Sequence, residues 1–242
     1  MRAQTQFAGA KLTIGAVRRR RSAAIDAIIA RCIIACLPGA AGTLELPTRR
    51  PILKKFCLTL MLALAASAGH AAEFAGVKLP DSVRVGNADL ALNGAGLRAR
   101  MVFKIYVGAL YLAEKKSSAA EALAAAGPKR IAMFLMRDLS AAQLSGALDE
   151  GLADNLSALE REKMQPQIDA LRATMQLVGA AKEKSVLAID YLPESGATRL
   201  TLDGMQKGNL IPGEEFYRAL LKIWLGDKPV DAKLKAALLG QG

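Results

Sequence analysis

The chain has 242 residues, enough for one or two domains, and a formal charge of +11. That charge is uneven: residues 1–71 hold 11 Lys and Arg against Asp26 and Glu45, whereas the remainder holds 22 basic and 20 acidic residues, a net of +2. A near-neutral body with no basic stripe excludes a nucleic-acid partner as the reason for the charge. In chain order, residues 1–50 have no clear helical period and are interrupted by Asp26, Arg31 and Pro38, which predicts an extended leader or a start codon assigned too early. "RRPILKKFCLTLMLALAASAGHAAEF" follows, with cations up to Lys55, an apolar run over 56–68 and small residues around "GHAA". This is the layout of a secretory signal peptide over 51–71, with cleavage near Ala71–Ala72. The apolar run is 13 residues, short of the roughly 20 that span a bilayer. The expectation is therefore an exported protein, periplasmic or secreted, with no transmembrane segment after processing.

Cys32, Cys36, Cys57 and the single histidine, His70, all precede residue 72. A mature chain of 72–242 then has no disulfide, no thiolate nucleophile, no histidine base and no Cys/His metal set. No cofactor or metal is expected. The lack of cysteine suits an oxidising compartment.

About 170 residues remain for one domain with a single core. Up to residue 96 the chain reads as short extended pieces broken by the turn dipeptides Pro80-Asp81, Gly86-Asn87 and Asn93-Gly94. "LNGAGLRARMVFKIYVGALYL" (92–112) reads as one long strand. "SSAAEALAAAG" (117–127) is a short helix with a Ser cap and a Gly stop, and "KRIAMFLMRDL" (129–139) a buried strand. "LSAAQLSGALDEGLADNLS" is an amphipathic helix capped by Ser140, with Leu144, Leu148, Leu152 and Leu156 at spacing four. "QPQIDALRATMQLVG" is a second, with Pro166 in its first turn and Ile168, Leu171, Met175 and Val178 on one stripe. Strands are predicted over 185–191, 198–202 and 205–211, then a helix from Pro212 to a stop at Gly226 and a short one in "DAKLKAALLG". Strands, helices, strands and helix joined by hairpins make an α+β fold: an antiparallel sheet with helices over one face.

Within 92–112 the odd positions Leu97, Met101, Phe103, Ile105, Val107, Ala109 and Tyr111 are apolar, and the even set contains Arg98, Arg100, Lys104 and Tyr106. Alternation sends the two sets to opposite faces, so the odd face is expected on the helices and the even face toward solvent or a ligand. On one straight strand Arg98 and Tyr106 are about 26 Å apart, and no Gly or Pro between them announces a bend. Gly94 and Gly96 are not followed by a helix, so they read as a turn with close backbone approach rather than a phosphate loop. Arg100 reads as solvated or ion-paired, Tyr111 and Trp224 as core, and Asp149-Glu150 and 160–162 as helix surface.

"GAGLRARMVFKIYVGALYL" resembles the Gly-x-Gly-x-Arg segment of the chalcone isomerase superfamily and the lysine-aromatic strand after it. "KSVLAIDYLPESGATRLTLDG" resembles the late hairpin of that superfamily, and "NLIPGEEFYRALLKIWLGDKPVDAKLKAALL" its C-terminal helices. The resemblance is strongest to the bacterial exported, chalcone isomerase-like branch. It implies an open-faced β-sandwich, a large antiparallel sheet covered by helices on one face. In the plant enzymes of this superfamily the motif's arginine, matched by Arg98, holds the substrate oxyanion. The strand's threonine is matched by Tyr106, the hydroxyl residue of the late helix falls near Ile223, and the other active-site Tyr and Asn have no match. A second branch binds fatty acids, gripping the carboxylate with the arginine and a tyrosine, which Arg98 and Tyr106 resemble more closely.

The expected function is non-catalytic binding of a small amphiphilic carboxylate, such as a fatty acid, at Arg98 and Tyr106. The alternatives are an isomerase or lyase on an enone-type substrate, with Arg98 stabilising an oxyanion, and a non-catalytic interaction module of the cell envelope.

Overall fold

The computed structural model describes residues 72–241. The expected leader and signal peptide, with Cys32, Cys36, Cys57 and His70, lie outside the described residues.

The chain runs β1 (Ala72–Phe74), β2 (Val77–Leu79), β3 (Ser82–Val85), β4 (Ala88–Arg100), β5 (Phe103–Leu112), α1 (Ala119–Ala124), β6 (Lys129–Leu135) and β7 (Leu139–Ser140). It continues with α2 (Ala141–Asn155), α3 (Ala158–Lys163), α4 (Gln165–Val178), β8 (Ala180–Ala181), β9 (Val186–Leu192), β10 (Ala197–Leu202) and β11 (Met205–Pro212). The last elements are α5 (Glu214–Leu225) and α6 (Ala232–Leu238). Seven strands form one curled antiparallel sheet in the order β11-β10-β9-β6-β5-β4-β3, and β1-β2 and β7-β8 are small separate ribbons. The fold is α+β, as the order of elements predicts.

The helices obey their local signals. Ser140 caps α2, its hydroxyl accepting from the Gln143 N–H while the Gln143 side chain accepts from the Ser140 N–H. Leu144, Leu148 and Leu152 are buried on one face of α2, and Ile168, Leu171 and Met175 on one face of α4. These faces and α5 meet one side of the sheet in the main core, built on Leu110, Ile131, Ile189 and Leu200. Full burial contributes about 1.5–3 kcal/mol for each side chain of this size. No helix among the described residues is long and apolar enough to cross a membrane.

Three sequence expectations are corrected. Residues 92–112 are not one strand: β4 ends at Arg100, Met101 and Val102 make a two-residue turn, and β5 returns from Phe103, with Arg100 opposite Phe103. Met101 takes φ 56° without being Gly, Asn or Asp, so the usual turn residues are missing from the sequence. Asn93-Gly94 is not a turn. It is a bulge inside β4, where the pairing jumps from Leu92↔Tyr111 to Gly94↔Leu110. The apolar odd positions of β5 also do not face the helices. Ala109 and Tyr111 pack with Val85, Leu90 and Leu192 in a second small core on the far side of the sheet. The even positions Tyr106, Leu110 and Leu112 face the helices. The curl of the sheet covers both faces of β5, so both of its side-chain sets are apolar and alternation loses its meaning there. Helix α3 is not delineated by the helical patterns of the sequence, although residues 160–162 read as helix surface and Ser157 and Glu160 form a capping box at its start.

Candidate functional site

The Gly-x-Gly-x-Arg motif lies on the helix-facing side of β4, and each of its residues has a distinct task. A Cβ on Gly94 would stand 2.2 Å from the Ala237 carbonyl oxygen and 2.7 Å from that of Leu238. On Gly96 it would meet the Ala237 Cβ at 2.7 Å. The two glycines let α6 lie directly on the strand. Asn93, the bulged residue, locks it: its side-chain amide donates to the Leu238 carbonyl at 2.7 Å and to the Lys116 carbonyl at 3.0 Å. Gly94→Ala therefore pushes backbone against backbone. A loss of about 3 kcal/mol is expected, at the upper end of overpacking costs, with a smaller loss for Gly96→Ala, whose clash is with a side-chain methyl. Urea unfolding of the two variants beside the parent chain checks the order.

Arg98 stands on the same face two residues beyond Gly96, where α6 no longer covers the sheet. Arg98 is directly opposite Tyr106 in the ladder, whereas Ala99 is opposite Lys104, which makes Ile105 an extra residue on β5. This second bulge turns Ile105 and Tyr106 together toward the helices, and both border one cavity. The 26 Å separation of a straight strand does not exist. The guanidinium carbon of Arg98 lies 6.0 Å from the centre of the Tyr106 ring. The hairpin that brings the two together carries no Gly or Pro at its turn.

The cavity has a volume of about 350 Å³, near the low end of ordinary ligand pockets. It lies between the sheet, α2 and α5, with walls that include Met133, Leu144, Leu148, Leu187, Leu220 and Ile223. Tyr106 is buried, and its hydroxyl oxygen accepts from the Trp224 indole N–H at 2.8 Å. Indole is a donor only, so the phenol's own proton remains available to a further acceptor. Burial raises the Tyr106 pKa, against the pull of the Arg98 charge and of the Trp224 bond, so the phenol is neutral. Among the described residues no carboxylate pairs with Arg98. An apolar cavity thus has guanidinium and phenol donors at the same end, an arrangement suited to an oxyanion.

Arg98 and Tyr106, both singled out from the sequence, border this cavity, and so does Arg100 at its rim. Trp224, read as plain core, is the residue that sequence reasoning missed. A buried indole N–H needs a partner, and that requirement is the signal that could have drawn attention to it. Ile223 is an apolar wall of the cavity.

A family described as chalcone isomerase-like matches residues 71–240. Among solved structures, the chain is similar to a fatty-acid binding protein of Arabidopsis thaliana, with a TM-score of 0.57 and 14% identity over 70% of this chain and 96% of that one. At that identity the likeness is one of fold. A comparison of the sequence with the curated proteins finds no significant match.

Proposed function

We propose that this chain, which belongs to the chalcone isomerase-like family, is an exported protein that binds a small amphiphilic carboxylate, such as a fatty acid, without chemistry on it. The observation that carries this reading is the placement of the Arg98 and Tyr106 donors at one end of an apolar cavity. A carboxylate takes two parallel N–H bonds from the guanidinium and an O–H bond from the phenol. The acyl chain adds about 0.8 kcal/mol for each methylene that the walls take from water. The fold shared with a fatty-acid binding protein supports the same reading. Export is supported by the layout of residues 51–71, cations followed by an apolar run and small residues.

The donor pair also suits an oxyanion developing on an enone, which keeps the isomerase reading in view. That reading still needs a group to move a proton. Tyr106, with its pKa raised, is a poor base near neutral pH.

Mass spectrometry of small molecules extracted from the purified full chain, beside an Arg98→Ala chain, tests the proposal. A stoichiometric fatty acid present in the parent and lost in the variant is expected. An empty cavity in both overturns it, and turnover of an enone that vanishes in the variant favours the isomerase. An intact-protein mass spectrum of the same preparation reads the processing, because a mature mass beginning near Ala72 is the signature of export.

A further inference from the structure

The β4–β5 turn projects three consecutive apolar residues. Met101 is 92% exposed, Val102 86% and Phe103 59%. Neither core gains from them, and a positive φ is a poor place for Met. Isolated exposed apolar residues need no explanation, but three in a row at a convex tip do. The tip has a cationic collar. The strands from Leu90 to Leu112 contain Arg98, Arg100 and Lys104 and no acid, and the Arg137 guanidinium carbon lies 5.8 Å from the centre of the Phe103 ring. Among the described residues, Arg100, Lys104 and Arg137 make no salt bridge.

We propose that this hairpin tip docks on a lipid bilayer bearing anionic headgroups, with Met101, Val102 and Phe103 inserted among the acyl-chain ends and Arg100, Lys104 and Arg137 at the phosphates. A small convex wedge suits a soft interface that closes around it. Long cationic side chains reach the headgroup plane while their stems stay apolar. The cavity borders the same hairpin, since Arg98, Arg100 and Ile105 line it. The docking itself rests on the tip alone and does not require the ligand proposed above.

The test uses the full chain with Val102→Trp, a substitution at a position where nothing is packed. It is mixed with vesicles of phosphatidylcholine containing phosphatidylglycerol, with brominated acyl chains as quencher. Expected is a blue shift and quenching beyond that of the parent chain, whose Trp224 is its sole tryptophan. The signal should be weaker with phosphatidylcholine alone. The double variant Met101→Asp, Val102→Asp should lose roughly tenfold or more in vesicle partitioning, with dodecanoate affinity unchanged. If the chain sediments with vesicles while the added tryptophan stays unquenched, another segment such as 1–71 makes the attachment and the proposal fails. A concentration-dependent blue shift without vesicles would assign the tip to a second copy of the chain, and also overturns it. A parent chain that docks on vesicles but binds no dodecanoate would sink the ligand reading and leave the docking standing.

Discussion

Asp190→Ala is expected to cost about 3–5 kcal/mol of folding stability, the range for removing one partner of a buried ion pair. Asp190 is fully buried on β9. In the ladder it lies between Arg130 on β6 and Arg199 on β10. Its two oxygens take the Nε and Nη2 of Arg130 at 2.5 and 2.8 Å, and one of them takes Arg199 Nη2 at 2.7 Å. The arginine side chains retain only 18% and 24% of their exposure. Without the carboxylate, two guanidinium groups face each other across the row, each short of acceptors and only partly reached by water. Asp190→Asn keeps the volume and isolates the charge. Arg199→Ala should cost less than either, because Arg130 still neutralises the aspartate. Urea denaturation of the three variants reads this order, and a loss below about 1 kcal/mol for Asp190→Ala would mean that the row is solvated and contributes little.

Arg98→Ala is expected to weaken dodecanoate binding by about a hundredfold or more. Two charge-assisted bonds at roughly 1.5 kcal/mol each already amount to that factor. Arg98→Lys should recover only part, since an ammonium keeps the charge but not the planar fork. Tyr106→Phe removes the third donor and also takes the acceptor from the Trp224 indole, so a smaller affinity loss should come with a stability loss of about 1–3 kcal/mol. Trp224 borders the cavity, so its fluorescence reports the titration. Equal affinities in the parent and Arg98→Ala would remove the guanidinium from the site.

Much of the architecture is legible in the residues because it depends on local rules. The Ser140 cap, the leucine spacing of α2, the stripe of α4 and the Gly226 stop each act within a turn or two of helix, and each stands where the pattern puts it. The three late strands fall within about one residue of their expected bounds, as turn chemistry and chain reversal both sit in adjacent residues. The 92–112 stretch escaped these rules. Its reversal uses Met and Val where turns ordinarily use Gly or Asn, and both faces of β5 are buried, so neither punctuation nor alternation marks the hairpin.

The sequence by itself determined the fold class, the helix faces, the lack of Cys and His after residue 71, and a charge at position 98 out of keeping with its apolar surroundings. Only the tertiary structure decided what that charge faces. Two bulges, a turn without glycine and a helix laid on Gly94 and Gly96 bring Arg98, Tyr106 and Trp224 to one cavity. These residues are eight and 118 positions apart along the pairs that meet. Their meeting depends on strand register and on which face of the sheet α5 covers. Register and layer packing are set by the sum of contacts across the whole core, and no short window of sequence contains that sum.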